Sequence, residues 1–189
     1  MRVISGSARR VSLVTPEGLS TRPTADMAKE SLFNIISAEI RGVRFLDLFC
    51  GSGAIGLEAL SRGAKEAVFV ENSKPAIAAT LQNLEKTRLL QHAQLLEMPV
   101  EKAIDKLDTS GHLFDIIFLD PPYDTNLLIQ TLNHLANTHL LCKTGIIIAE
   151  TDAQIHKASP IPTPSAFELT DTRIYGRTCF LFYMWRANL

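Results

Sequence analysis

Residues 45–56 read FLDLFCGSGAIG, an apolar strand that runs into a glycine-rich turn and then into the start of a helix. The glycines have the spacing G-x-G-x-x-G and stand in the strand–loop–helix context that this pattern requires. We expect Gly51 and Gly53 to let the backbone approach a ligand closely, and Gly56 to let the helix pack on the strand. The stretch therefore predicts a cofactor-binding loop after the first strand of a parallel α/β sheet.

Downstream of this stretch, apolar strands alternate with amphipathic helices, which predicts a parallel sheet with helices on both faces. Two β-rich runs separated by Gly176-Arg177 close the chain and predict an antiparallel hairpin at the sheet edge. A proline-rich linker at 159–164 precedes them. The predicted strands are 44–49, 67–71, 93–97, 114–119, 145–150, 167–175 and 178–185, and the predicted helices are 54–62, 75–88, 100–107 and 126–138.

Residues 1–42 do not follow the strand–helix alternation. Residues 2–4 and 11–14 carry β-branched side chains around Ser5-Gly6-Ser7 and predict a small β arm. Thr24 has the character of a helix N-cap, so we predict a helix from about Ala25 to Ile40. The whole chain is expected to form one domain, with an arm and helix in 1–42 and a cofactor-binding catalytic core in 43–189.

A second unusual stretch, Asp120-Pro121-Pro122-Tyr123, follows the predicted strand FDIIFL at 114–119. Proline cannot donate to a sheet ladder, so the strand must end there. An acid and an aromatic ring are thus left at the carboxyl end of a central strand, where open α/β sheets bind ligands.

Two acids narrow the class of cofactor. Glu71 ends the second predicted strand, 20 residues after Gly51, where a carboxylate can accept both hydroxyls of an adenosine ribose. NAD and S-adenosylmethionine both satisfy this pattern. Asp47 lies inside the first strand and favours the second cofactor, because its charge would repel a pyrophosphate but attract the ammonium of a methionine moiety.

Composition and charge set the remaining bounds. The chain has 46% hydrophobic and 21% charged residues, and no apolar run approaches the ~20 residues of a membrane span. Three widely spaced cysteines and five scattered histidines form no metal or disulfide pattern, which suits a reducing cytoplasm and predicts no metal site. Residues 1–44 hold seven bases against four acids, so a net +3 arm joins a body of −4, a pattern that can mark a phosphate-binding surface.

At this point the sequence resembles a known family. The stretch 46–53 resembles the first motif of class I S-adenosylmethionine-dependent methyltransferases, and 120–123 resembles the [D/N]PP[Y/F/W] motif of those that methylate exocyclic amino or amide nitrogens. Arg22-Pro23-Thr24 followed by ESLFN at 30–34 resembles the N-terminal signature of the RsmD family, which methylates a guanine N2 in small-subunit ribosomal RNA. Tyr175-Gly176 is similar to that family too, so the resemblance covers essentially the full length.

The resemblance implies a Rossmann-like class I methyltransferase fold, with a seven-stranded, mostly parallel sheet. It implies S-adenosylmethionine as cofactor, S-adenosylhomocysteine as product, and no metal. The substrate would be 16S rRNA within a small ribosomal subunit particle, and the enzyme a cytoplasmic monomer. The implied catalytic residues are Asp120, Pro121, Pro122 and Tyr123, and the implied RNA-binding residues are Arg9, Arg10, Arg22 and Asn34. The implied cofactor-binding residues are Thr24, Asp47, Phe49, Gly51, Ser52, Gly53, Glu71, Asn72, Met98, Val100 and Asp120.

The expected chemistry at the corner follows from the poor nucleophilicity of a base amino nitrogen, whose lone pair is delocalised into the ring. The Asp120 carboxylate and the Pro121 carbonyl would hold its two hydrogens, and the prolines would preorganise both acceptors. Tyr123 would stack on the extruded base. Cys50 lies on the cofactor loop and is expected to be a packed residue rather than a nucleophile.

Two positions depart from the family pattern. Many relatives carry an acid or Asn after the third strand to contact the adenine amino group, and Pro99 takes that place here, so we expect an apolar or backbone-mediated contact. The arm of the family usually has a glycine between its basic residues, where this chain reads Arg9-Arg10-Val11.

Rival functions stay open at the level of sequence. The same corner could serve an adenine-N6 methyltransferase on DNA or RNA, although 189 residues leave no room for a separate target-recognition domain. A non-catalytic ribosome-assembly factor with this fold is a second alternative, against which the intact acids and glycines argue. An NAD-dependent oxidoreductase is more distant, because nothing in that chemistry explains residues 120–123.

Overall fold

The computed structural model describes residues 1–16, 23–122 and 125–187. Its strands form one seven-stranded sheet in the order β3-β2-β1-β4-β5-β7-β6. The first five strands run parallel, and β7 pairs antiparallel with both β5 and β6, so the predicted fold class and the terminal hairpin are confirmed. The strands are β1 (Arg44–Leu48), β2 (Glu66–Glu71), β3 (Ala93–Glu97), β4 (Phe114–Leu119), β5 (Leu141–Asp152), β6 (Phe167–Tyr175) and β7 (Thr178–Trp185).

Six α-helices lie along the described chain, and a single 3-10 turn at Leu90–His92 leads into β3. They are α1 (Pro23–Ile35), α2 (Ala54–Ser61), α3 (Lys74–Thr87), α4 (Val100–Thr109), α5 (Thr125–Leu135) and α6 (Ala153–Ala158). The four helices predicted after the first strand all exist, and none of their ends moves by more than three residues.

The core has two layers, one on each face of the sheet. Alternate residues of a strand face opposite sides, so Phe45 and Phe118 enter one layer while Leu46 and Leu119 enter the other. The first layer packs under α1, α2 and the N-terminal arm. The second layer packs under α4 and α5. Central strands that are buried on both faces explain the continuous apolar runs of the sequence.

The predicted bounds of α1 and β5 were wrong. Helix α1 begins at Pro23, so Thr24 lies inside its first turn and does not precede it as an N-cap; proline suits a first turn, where its missing N–H costs nothing. The same helix ends at Ile35, although Ile40 remains buried in the turns that follow. Strand β5 starts at Leu141, four residues before the predicted start at residue 145. A register shift between Phe114 and Ile116 of β4 lets β5 pair with β4 on both sides of the irregularity.

Helix α6 was not predicted. Asp152 caps it by accepting hydrogen bonds from the backbone N–H groups of Gln154 (2.8 Å) and Ile155 (3.3 Å). Six residues are too few to show helical periodicity, so only the capping residue could have signalled it.

The predicted β arm is present and takes the form of a short hairpin. Arg2 and Ser12 form an antiparallel bridge, and Val3 N–H donates to Val11 O at 3.0 Å. At its tip Gly6 has φ 85° and lies against α2, where a Cβ atom would fall 1.7 Å from the Ser61 carbonyl oxygen. The arm is therefore seated directly on the helix that follows the cofactor loop.

Candidate active site

The candidate site lies at the carboxyl edge of the sheet, between β1 and β4. These strands are neighbours, with Leu48 opposite Leu119, but the chain leaves β1 toward β2 on one side and returns at β4 on the other. Such a switch in strand order opens a crevice in which α/β proteins bind ligands. The loop after β1 and the Asp120-Pro121 corner after β4 therefore lie side by side.

The loop after β1 takes a conformation that requires its glycines. Gly51 and Gly53 have φ angles of 57° and 75°, in the left-handed region that residues with a Cβ avoid. Gly56 serves a different purpose, because a Cβ atom there would lie 2.3 Å from Cε1 of Phe69 on β2. The helix–strand contact predicted for Gly56 is thus present, and the two preceding glycines shape the turn itself.

Two side chains of α3 hold this loop from below. Thr80 Oγ1 donates to Gly51 O at 2.8 Å, and Asn83 Nδ2 donates to Ser52 O at 2.9 Å. Asn83 also bonds both backbone groups of Val14, so one amide ties the end of the arm to the loop. Our sequence reasoning missed both residues. Their signal is a polar stripe on the buried side of a helix, at Thr80, Asn83 and Thr87.

Glu71, at the end of β2, is oriented by backbone groups. Its Oε2 accepts from Gly51 N–H, and its Oε1 accepts from the N–H groups of Asn72 and Ser73, each at 2.9 Å. A carboxylate offers about four acceptor positions, so capacity for a ligand hydroxyl remains. The cofactor loop and the predicted ribose acceptor are thereby locked together.

Asp47 is buried at 1% exposure and accepts one hydrogen bond, from Gly56 N–H at 2.9 Å. Burial raises the pKa of this carboxyl to about 8, and the nearby charges of Asp120 and Glu71 push in the same direction while the Gly56 N–H opposes them. The cation that would favour its ionised form is missing from the described residues around it. A ligand ammonium would supply that charge.

Asp120 and Pro121 follow β4 directly. Asp120 is an exposed residue at the carboxyl end of β4, and desolvation of its carboxyl group by the neighbouring protein raises its pKa to about 6. Pro121 is buried and Pro122 is exposed. Tyr123 lies outside the described residues, so its predicted stacking role stays a prediction.

Three further predicted cofactor residues, Phe49, Met98 and Val100, follow β1 and β3 at the same edge. Phe49 has φ 63°, an unusual conformation for a residue with a side chain, and its ring packs against the second core layer. Met98 packs half-buried against that layer, and Val100 is 7% exposed within it. Pro99 precedes α4 as its N-cap residue. Thr24 lies in the first turn of α1, and its side chain is outside the described part of the structure.

Cys50 has the environment of a structural thiol. It is 8% exposed, and burial raises its pKa well above the usual range, with the charge of Asp47 adding to the effect. A thiolate nucleophile needs the opposite shift.

A basic cavity of about 530 Å³ lies between the arm and α1. Its lining brings together three of the four predicted RNA-binding residues, Arg9, Arg10 and Asn34, and adds Arg2 and Arg62. The fourth, Arg22, lies outside the described residues. Arg10 has φ 72°, in the left-handed region that favours glycine over residues with a Cβ atom.

Glu58 of α2 assembles the wall of this cavity. Fully buried, it accepts hydrogen bonds from the backbone N–H groups of Ile4 (2.7 Å) and Ser5 (3.0 Å) and from Arg62 Nε (2.7 Å). Lys29 Nζ of α1 lies 3.6 Å from the same carboxylate. One acid therefore joins the arm, α1 and α2.

The described residues provide neither a membrane-spanning helix nor a metal-binding cluster. Within 1–16, 23–122 and 125–187, no helix is long and apolar enough to cross a membrane. The same part of the chain holds no group of three or more His, Cys, Asp or Glu side chains placed to bind a metal.

Comparison with known proteins gives full-length matches. The family described as "Conserved hypothetical protein 95" matches residues 1–184. The chain is 39% identical to "Putative rRNA methyltransferase YlbH" of Bacillus subtilis, over 99% of this chain and 100% of the relative. It is 31% identical to "Ribosomal RNA small subunit methyltransferase D" of Escherichia coli K12, over 100% of this chain and 91% of the relative.

A solved structure agrees with these sequence matches. "Putative methyltransferase yhhF from Escherichia coli" superposes with a TM-score of 0.85 at 29% identity, covering 100% of this chain and 99% of that one. Fold, motifs and full-length identity point the same way: the chain belongs to the Conserved hypothetical protein 95 family, the family of the small-subunit ribosomal RNA methyltransferase D proteins.

Proposed function

We propose that this protein transfers a methyl group from S-adenosylmethionine to the exocyclic N2 of a guanine in 16S ribosomal RNA. The observation that carries the proposal is the adjacency of two parts of the sheet edge. The glycine loop with its buried Asp47 follows β1, and the Asp120-Pro121 corner follows the neighbouring strand β4. A methyl donor in the first part would meet an amino acceptor in the second.

The residues of the loop fit such a donor. Asp47 is a buried acid with no cation among the groups that shift its pKa, and the ammonium of the methionine moiety would form an ion pair with it. Glu71 has acceptor capacity left for ribose hydroxyls, and Phe49, Asn72 and Met98 border the same edge. When bound, the cofactor supplies a methyl carbon made electrophilic by a sulfonium.

The corner supplies acceptors for the amino group. The Asp120 carboxylate and the Pro121 carbonyl hold the two N2 hydrogens, so the nitrogen lone pair is directed at the methyl carbon. N2 forms the new bond to carbon as the carbon–sulfur bond breaks, and the electron pair of that bond stays on sulfur. The positively charged N2 then loses one proton to Asp120, whose pKa of about 6 suits it to accept a proton and release it to solvent.

The basic cavity is the surface we assign to the RNA backbone. Arg2, Arg9 and Arg10 contribute positive charge at the arm, and phosphate contacts of this kind position a nucleic acid without reading its sequence. A substrate that is already folded, such as a small-subunit particle, would supply the shape that a compact enzyme reads. We propose that the protein acts in the cytoplasm as a monomer on such a particle.

The test is methyl transfer from labelled S-adenosylmethionine to three substrates: under-methylated small subunits, free 16S rRNA and DNA. We expect label in the subunits or the rRNA, as N2-methylguanosine on nucleoside analysis. Asp120→Ala should bind the cofactor with unchanged affinity in calorimetry and lose transfer. Label found in N6-methyladenosine, or normal transfer by Asp120→Ala, would overturn the proposal.

A further inference from the structure

We propose that Glu150, at the end of β5, is the residue that selects guanine, by accepting the N1–H of the base whose N2 is held at Asp120. The inference rests on the proposed function. It concerns how the enzyme recognises the pairing edge of the target base, which Asp120 and Pro121 alone do not distinguish. Asp120 and Pro121 accept hydrogen bonds from an amino group. Because adenine and cytosine also carry an amino group, these two residues do not distinguish guanine from them.

The pairing of β4 with β5 places Glu150 beside Asp120. Phe118 lies opposite Ile148 and Leu119 opposite Ala149, so the next pair along is Asp120 and Glu150, on strands about 4.8 Å apart. Phe118 and Ile148 both enter the core layer under α1 and α2. Asp120 lies two residues after Phe118, and Glu150 two residues after Ile148, so both side chains point to this same face of the sheet. Asp47 lies two residues after Phe45 and points to the same face.

Glu150 has few partners of its own. Its Oε1 is 3.4 Å from Thr178 Oγ1, a long contact, and no ion pair reaches it from the described residues. The nearby cation Arg177 is engaged elsewhere, at 2.8 Å from Asp152. Burial raises the pKa of Glu150 well above its usual range, and the charge of Asp120 adds to this effect. N–H donors that reach both of these neighbouring carboxyl groups would stabilise them as anions.

Guanine is the amino-bearing base that provides those donors side by side. Its N1–H and its N2 amino group lie next to each other on the pairing edge. Adenine and cytosine instead place an unprotonated ring nitrogen beside their amino group. When Glu150 is ionised, as it is when it accepts the N1–H of guanine, that nitrogen would face its lone pairs and leave two acceptors opposed and unpaired. Binding adenine or cytosine would therefore require a protonated Glu150, and this difference between the bases is the basis for selection.

The test uses 2-aminopurine, which keeps the 2-amino group of guanine but has an acceptor at N1. The guanine found to be methylated is replaced by 2-aminopurine in 16S rRNA by ligation of a synthetic segment, and kcat/KM is measured on both substrates. Wild type should prefer guanine by 100-fold or more. Glu150→Ala should lose about 10- to 100-fold on guanine, the cost of a hydrogen bond to a charged group, and little on 2-aminopurine. Glu150→Gln, whose amide can also donate to N1, should narrow the preference as well.

Glu168→Gln is the matched control, because Glu168 is an exposed acid on the edge strand β6. It should behave as wild type. Cofactor affinity and thermal unfolding of the Glu150 variants should match those of wild type, which separates base selection from loss of the fold. An unchanged guanine preference in Glu150→Ala would overturn the inference, while failure of wild type to methylate guanine would overturn the proposed function itself.

Discussion

Arg10 holds a strained backbone at the mouth of the basic cavity, and replacing it by glycine should separate stability from RNA binding. Its φ of 72° lies in the left-handed region, which costs a residue with a Cβ about 1–2 kcal/mol. Glycine removes that cost, but it loses roughly 0.5–1 kcal/mol more chain entropy on folding. The difference spans about 0 to 1.5 kcal/mol, and its middle predicts that Arg10→Gly stabilises the protein by about 0.5–1 kcal/mol. For a chain of this length, that raises Tm by roughly 1–4 °C.

The same substitution removes a cation from the cavity. If Arg10 contacts one phosphate, log Kd against log salt concentration should lose about 0.7–0.9 from its slope, and RNA affinity should fall at low salt. The backbone hydrogen bond from Arg10 N–H to Val3 O survives in the variant, so the arm keeps its pairing.

Arg9→Gly is the matched control. Arg9 is an exposed neighbour that lines the same cavity, and its φ is not in the left-handed region. This variant should lose a similar RNA contact and also lose stability. Urea denaturation gives the free energy of unfolding, and filter binding across a salt series gives the slope. Equal destabilisation by both variants, or RNA binding unchanged by Arg10→Gly, would refute the reasoning.

Three further perturbations test other parts of the structure. Glu58→Gln leaves the buried cations around it without a counter-charge and should cost roughly 3 kcal/mol of unfolding free energy; a loss under 1 kcal/mol by urea denaturation would contradict this. Gly56→Ala would put a Cβ 2.3 Å from Phe69, and we expect a cost of about 1–3 kcal/mol and weaker cofactor binding in calorimetry. Asp47 binds a proton in the folded state up to about pH 8 and in the unfolded state only to about pH 4, so its contribution to stability declines as pH rises between these values. Asp47→Asn should remove that decline from a series of urea titrations, and wild-type cofactor affinity should increase as pH rises toward 8.

Sequence patterns predicted the structure correctly where the conformation depends on neighbouring residues in the chain. The loop at 51–56 was assigned from glycine spacing, and the structure puts a positive φ or a close contact at each glycine. Strands β3, β4, β6 and β7 have the bounds expected from their apolar runs. The predictions failed where a tertiary contact overrides such a pattern, as at the end of α1, whose apolar face continues to Ile40 after the helix has stopped.

The sequence by itself determined the alternation of strands and helices, the cofactor loop, the proline-ended corner and the family. The first three depend on residues within about ten positions of one another, and the family on several such short motifs taken together, so periodicity, turn chemistry and motif identity suffice to read them. Only the tertiary structure decided that Glu150 stands beside Asp120, and that Glu58 ties the arm to α1 and α2. These pairs are 29 or more residues apart in the chain. Strand register and helix packing bring them together, and the pattern of a single segment contains neither.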